Sequence, residues 1–330
     1  MSEELKLEDI KGIGPVTAQK LRELEIDVDK LATMRPEELA SELSITKKAA
    51  KDICNDAKDK ALPRVIPVRT FNEQKRHIKE VVQRIPTGST ALDEILGGGW
   101  RTESLHLLKG EYASGKTQLA MQAAINVLKY LKRKIIWIET ETGTFSPDRF
   151  EQMAKAVGVT IDGDKDFIFI PSTGSSTPYM QYLSYQRAIQ VMLEKKMDVG
   201  LIVVDSFNAA FREFYSGREM LPDRAREEAR HLGYLDNISA KYNIAVILTG
   251  QVMGIPDPGG QLAERVKTGH TKVAYGGDIL FHWCTYILSL DQMASKAEGE
   301  WEAVLADSPD RPKAKCRFRI VSQGVRDIIK

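Results

Sequence analysis

Along the chain the spacing of apolar positions changes character twice. From residue 7 to about 62, Leu, Ile and Ala recur three and four positions apart among Lys and Glu, as amphipathic helices require. The stretch ALPRVIPVR (61–69) interrupts this with two prolines and alternating apolar residues, and reads as an extended linker. From about residue 85 short apolar runs, Gly-containing loops and helical stretches alternate, the signature of a parallel sheet flanked by helices. Strands are predicted at 105–109, 134–139 (KIIWIE), 167–170, 199–205 (VGLIVVD) and 244–249 (IAVILT), with helices at 115–131 and 178–195. VGLIVVD and IAVILT are nearly continuous in apolar residues, as central strands covered on both faces must be. Strands and turns then alternate over 285–290, 301–305 and 315–321. The expected organisation is a small all-α domain at 1–62, a linker at 63–84 and an α/β core with a mostly parallel central sheet at 85–330.

Composition narrows this only a little. A chain of 330 residues with 42% hydrophobic and 28% charged residues is ordinary for a protein of about two domains. No apolar run approaches a membrane span, and the start MSEELKLEDI lacks the basic and apolar regions of a secretory signal. Three cysteines, far apart in sequence, form no disulfide or metal pattern, and fit a reducing, cytoplasmic compartment. The net charge of +1 does not announce a nucleic-acid binder, so any such contact must come from local clusters.

The chemistry begins at Gly110-Glu111-Tyr112-Ala113-Ser114-Gly115-Lys116-Thr117, which fits G-x-x-x-x-G-K-[ST]. Small residues let such a loop curl so that its N–H groups face phosphate oxygens, and the following helix adds its positive end. Lys116 is placed for the β- and γ-phosphates of ATP, and Thr117 offers a hydroxyl to Mg²⁺. The motif follows a predicted strand and opens a predicted helix, the context it needs. Asp205 ends the run LIVVD at the strand edge where ligands of parallel sheets bind, and is the candidate for the Mg²⁺ shell. Hydrolysis also needs a base to take a proton from water. Glu139 and Glu141, two apart at the end of KIIWIE, are the candidates.

These residues, with TGSTALDEILGGG (87–99), TFSPDR (144–149), Asp205-Ser206, TGQV (249–252) and Asp307-Ser308-Pro309, resemble the RecA-like recombinases of archaea and eukaryotes. The resemblance spans essentially the whole chain, and with its N-terminal helical domain the chain is most similar to the archaeal members. It implies a RecA-like ATPase core and a DNA-dependent ATPase that forms filaments on single-stranded DNA and pairs it with duplex DNA in recombinational repair, at the nucleoid. Position by position, it implies Gln118 in the nucleotide site, Arg149 against the adenine, and Gln251 as a sensor of the γ-phosphate. Asp307 and Pro309 match a cap that a neighbouring protomer places over the nucleotide, and His282 matches a residue that feels the γ-phosphate across that interface. The self-association implied is a helical filament or ring, and recombination mediators are implied as further partners.

Two DNA loops are implied as well. Arg212, Arg218 and Arg224 match basic positions of the first, where guanidinium groups suit phosphate. The second would cover 253–275, with Arg265, Lys267 and Lys272 as its cations, a Gly- and Pro-containing segment suited to ordering on DNA. Backbone contacts of this kind are salt-dependent and largely sequence-independent. At the N-terminus LEDIKGIGPVTAQKL (7–21) reads as helix, hairpin, helix, with Gly12 and Gly14 exposing N–H donors to a DNA phosphate, and SITKK (44–48) opens a degenerate second copy.

The chain also departs from the family. Its acidic strand end is ETETGTF (139–145) against D-T-E-G-T-F, one residue longer; aligned from the left Glu141 is the base, aligned from the right Thr142 falls there, and the chemical need for a carboxylate favours Glu141. Phe71 begins FNEQ, where relatives insert F-x-x-A into the neighbouring protomer, and is the candidate interface anchor. Gly250 and Asp278 stand where relatives carry other polar residues. A recombinase paralogue that binds DNA and assembles or mediates without exchanging strands is the rival reading, and a ring-shaped DNA motor is a third.

Overall fold

The computed structural model describes residues 5–24, 26–65, 68–172, 177–215, 217–254, 272–274, 278–292 and 299–328. The chain divides into two compact units, Met1–Lys79 and Glu80–Lys330.

In the first unit a 3-10 turn at Leu7–Asp9 precedes α1 (Pro15–Glu23), α2 (Val28–Thr33), α3 (Pro36–Leu43), α4 (Lys47–Val65) and α5 (Phe71–Glu80). Its core is built from Ile10, Leu21, Leu31, Leu39, Ile53 and their neighbours. The helix expected before the hairpin is therefore a single turn. Gly12, at φ 93°, needs a residue without Cβ, whereas Gly14 is extended and precedes Pro15 at the start of α1. The extended reading of 61–69 is corrected in its first half, where α4 continues to Val65, and Phe71–Glu80 within the linker forms a helix of its own. Phe71 is 82% exposed at the first position of α5.

The second unit runs β1 (Arg84–Ile85), α6 (Thr90–Leu96), β2 (Trp100–Arg101), β3 (Ser104–Gly110), α7 (Lys116–Asn126), β4 (Lys134–Glu139), α8 (Pro147–Ala156), α9 (Gly163–Asp166), β5 (Phe167–Ile170) and α10 (Pro178–Glu194). It continues through β6 (Val199–Asp205), α11 (Ala209–Phe214), α12 (Leu221–Tyr242), β7 (Ala245–Gly254), β8 (Lys272–Ala274), α13 (Asp278–Trp283), β9 (Tyr286–Gln292), β10 (Glu300–Asp307), β11 (Ala314–Val321) and β12 (Gly324–Arg326). The main sheet has the order β12-β11-β10-β9-β3-β7-β6-β4-β5, parallel from β9 to β5 and antiparallel from β9 outward to β12. All seven residues of β3 and of β6 are buried, which explains the nearly unbroken apolar run of β6. One apolar layer under α7 and α8 and another under α10 and α12 cover the two faces. Residues 272–274 pair antiparallel with Val252–Gly254, so both ends of the second predicted DNA loop include strand.

Two buried polar features shape the core. Arg133 donates to the carbonyls of Val199 (2.6 Å), Tyr242 (3.0 Å) and Asn243 (2.6 Å) and to Asp198 (2.8 Å), tying the start of β4 to the ends of β6 and α12. Glu228 on α12 is fully buried, and neither of its oxygens accepts a hydrogen bond among the described residues. Arg224 Nε lies 3.5 Å from its Oε1. Burial pushes this carboxyl up to about 7, against the opposing pull of Arg224. The folded chain thus holds the proton more tightly than the unfolded chain, whose glutamate titrates at about 4.5. Stability should fall as pH rises from about 4.5 to about 7, by roughly 3 kcal/mol at most. Glu228→Gln is expected to remove that slope and raise the melting temperature at pH about 8, read from thermal unfolding across this range.

Candidate functional site

The site forms at the C-terminal ends of β3, β4, β6 and β7, where the chain leaves the sheet into loops. The segment 110–117 connects β3 to α7. Ala113 (φ 61°) and Gly115 (φ 84°) are both left-handed, which curls the loop before α7 begins. A Cβ on Gly115 would meet Ile320 Cδ1 at 2.6 Å and Trp301 Nε1 at 3.1 Å, so only glycine fits against this antiparallel backing. Lys116 Nζ donates to the Gly110 carbonyl (3.0 Å), the Glu111 carbonyl (2.5 Å) and Ser114 Oγ (3.1 Å). Burial lowers the Lys116 pKa, while Asp205, Glu141 and Glu111 favour its charged form. Glu111 and Ala113 are exposed, Ser114 is buried, and Tyr112 stands out at 91% exposure.

Asp205 is buried at the end of β6. Thr117 Oγ1 donates to its Oδ2 at 2.8 Å, and Thr249 Oγ1 to its Oδ1 at 2.5 Å. Burial raises the Asp205 pKa; the hydroxyls of Thr249 and Thr117 and the charge of Lys116 hold it back. A carboxylate and a hydroxyl side by side beside a phosphate-type loop are hard oxygen donors of the kind Mg²⁺ takes. Thr249 was not singled out in the sequence as a site residue; its place on the strand next to β6, facing the acidic end, was the available signal.

The two glutamates of the ETETGTF segment diverge. Glu139 is buried and its Oε1 accepts from Phe145 N at 3.1 Å, so it closes its own loop. Glu141 is 30% exposed in its side chain, and its Oε1 accepts from Gln251 Nε2 (3.4 Å) and Arg212 Nη2 (3.4 Å). Burial raises the Glu141 pKa, Asp205 adds to this, and Arg212, Ser206 and Lys116 oppose it. Arg212 also bonds Gln251 Oε1 through Nη1. Asn208 joins the set, its Oδ1 accepting from Gln251 N at 3.4 Å and its carbonyl from Arg212 N at 3.0 Å.

Gln118 and Arg149 meet as well. Arg149 Nε donates to Gln118 Oε1 (2.8 Å), and its other nitrogens reach Gln152 (2.5 Å) and the carbonyls of Ser322 (2.7 Å) and Val321 (2.6 Å). The guanidinium edge is thus used to bind α7, α8 and the β11–β12 turn together. Asp307, the last residue of β10, and Pro309, in the turn that follows, are both exposed. Asp307 pairs with Ile287, itself level with Leu107, so it stands three positions short of Gly110 along the sheet. His282 is exposed on α13.

The first-loop arginines do not share one environment. Arg212 turns to Glu141 and Gln251. Arg224, on the first turn of α12, is only 13% exposed in its side chain and faces buried Glu228 four residues on, so as placed it is not presented to solvent. That placement follows from helical spacing, which brings i and i+4 onto one face. Arg218 opens a 3-10 turn, Arg218–Met220, and its side chain lies outside the described residues, as do Arg265, Lys267 and the side chain of Lys272.

Comparison with known proteins gives this geometry a lineage. The Rad51 family model matches residues 77–328. The chain belongs to the Rad51 family. A protein described as DNA repair and recombination protein RadA, from Ignicoccus hospitalis (strain KIN4/I / DSM 18386 / JCM 14125), is 35% identical over 331 residues, covering 97% of this chain and 94% of that relative. The Rad51-family match takes in the phosphate loop, Asp205, Glu141 and Gln251 together. No helix among the described residues is long and apolar enough to cross a membrane.

Proposed function

We propose that this Rad51-family chain is an ATP-dependent recombinase that assembles on single-stranded DNA and exchanges it with homologous duplex. The observation that carries the reading is the convergence at one sheet edge of the phosphate loop, the Thr117–Asp205 pair and Glu141, with Gln251 and Arg212 bonded to Glu141. Gln251 lies on β7, which leads into the second predicted DNA loop, and Arg212 on α11, which leads into the first.

In this reading the N–H groups of 110–117 and the Lys116 ammonium hold the triphosphate, and Gln118 with Arg149 forms the base-side wall. Thr117 and Asp205 would hold Mg²⁺, which when bound draws charge from the phosphate oxygens. Glu141 takes the proton from a water as its oxygen attacks the γ-phosphorus, and the bond to the β-phosphate oxygen breaks to leave ADP. Its raised pKa makes it a better base than an exposed carboxylate. Asp307, Pro309 and His282 serve a neighbouring protomer's nucleotide, and exposed Phe71 anchors that neighbour, since a buried aromatic supplies much of such a contact. Gly12 and the turn after it give the N-terminal unit a phosphate contact, and Arg218 and Arg265 give the core its own. The partners are single- and double-stranded DNA, further copies of the chain and recombination mediators, at the nucleoid.

A joint-molecule assay tests this. Exchange between a single strand and a homologous duplex is expected with ATP and Mg²⁺ and absent without nucleotide. Nucleotide-responsive DNA binding with no exchange under any nucleotide would replace the recombinase by the mediator reading, which the longer ETETGTF loop favours.

A further inference from the structure

Arg212 sits where a loop arginine would be expected to face DNA, yet its guanidinium reaches into the hydrolytic crevice. Nη2 is 3.4 Å from Glu141 Oε1, and Nη1 bonds Gln251 Oε1. The helix that carries it is held from below. Phe207 stacks on Phe211 (centroids 5.3 Å, 25° between planes), and Phe211 stacks on Tyr215 (6.4 Å, 17°). Phe211 also meets the buried His231 ring edge-on at 4.9 Å. This column fixes the backbone of α11 shortly after Asp205, and the first predicted DNA loop begins on that helix, at Phe211. Arg212 therefore stands between a rigid support and a DNA contact.

We propose that Arg212 is a positioning residue that restrains Glu141 when DNA is absent, and that DNA drawing on the same guanidinium releases the carboxylate for hydrolysis. The proposal rests on the reading of Glu141 as the base. A carboxylate paired with a guanidinium is a weaker base, and one oxygen shared between Arg212 and Gln251 is oriented by them rather than by a water. DNA phosphate is the competing anion for Arg212, and bidentate guanidinium–phosphate pairing is stronger than the single long contact to Glu141. Among the described residues, the groups facing Glu141 are Arg212 from α11, Gln251 from β7, Lys116 from the phosphate loop, and Ser206 and Asp205 at the end of β6. Of the two cations among them, Lys116 is committed to loop oxygens, so Arg212 alone can leave without dismantling the nucleotide site.

The pair is half exposed, so the effect should be modest, about three- to five-fold in rate. ATP turnover of the full chain is measured with and without saturating single-stranded DNA, for wild type, Arg212→Ala, Arg212→Gln, Arg212→Lys and Glu141→Gln. Arg212→Ala and Arg212→Gln should raise DNA-free kcat about three- to five-fold with KM within two-fold of wild type, and the stimulation by DNA should shrink by the same factor. Arg212→Lys, which keeps the charge but not the two-nitrogen fork, should give a smaller rise than either. A DNA-free kcat that is unchanged or lower in both Ala and Gln variants, while Glu141→Gln is inactive, overturns the restraint and leaves the base assignment standing. Wild-type turnover in Glu141→Gln, or none in the wild type with DNA, overturns the base assignment and the restraint with it.

Discussion

Lys116→Ala is expected to cut ATP turnover by about 10³-fold, because it removes the one cation built into the phosphate loop. The Lys116 ammonium is held by oxygens at 110, 111 and 114, so the loop keeps a preformed socket for it rather than a solvated side chain. Without it, negative charge developing on the transferred phosphoryl group has only backbone donors to meet it. Nucleotide binding should weaken as well, and strand exchange that depends on ATP should vanish with it. Turnover measured by phosphate release, alongside binding of a fluorescent ATP analogue, checks both parts. A variant that hydrolyses ATP within ten-fold of wild type would mean that the triphosphate sits elsewhere.

Glu141→Gln is expected to lower kcat by about 10²- to 10⁴-fold while ATP still binds with an affinity near that of wild type. The substitution keeps the shape and the contact with Gln251 but cannot accept a proton. Glu139→Gln should behave differently. Glu139 accepts the Phe145 N–H, and Phe145 packs on Trp137 (4.8 Å between ring centroids) and on three other aromatic rings. Its loss should loosen the segment and lower thermal stability more than it lowers the chemical step. If single-turnover measurements find the reverse, with Glu139 essential to chemistry and Glu141 dispensable, the roles exchange.

Much of the core could be read in the residue pattern because its strands are buried on both faces. KIIWIE and VGLIVVD are strands with the predicted bounds, since a run of apolar residues between turn signals has few other solutions at that length. The phosphate loop was equally legible, its spacing being dictated by the geometry of curling around an anion. The extended linker was misjudged. Pro63 and Pro67 outweighed the helical spacing around them in that reading, yet Phe71–Glu80 carries its polar residues on a helix whose buried face is empty, which a pattern of apolar positions does not register. Side-chain direction was harder still. The Arg224–Glu228 spacing was visible as i, i+4, but only the fold makes that face internal. Arg212 and Glu141 lie 71 residues apart, and their meeting depends on β4 and β6 being neighbours in the sheet. That the returning loop would occupy Glu139 through the Phe145 N–H was likewise not visible in the ETETGTF spacing.

The seat of the phosphate helix is completed from far downstream. Gln122 of α7 accepts from Val325 N at 2.9 Å across 203 positions and donates to Asn126, which in turn holds the Pro86 carbonyl at 2.6 Å. Trp301 and Ile320 close in behind Gly115. A chain cut before residue 301 would therefore carry the motif at 110–117 without the backing that holds its shape, and one cut before residue 325 would lose a tie of the helix that follows.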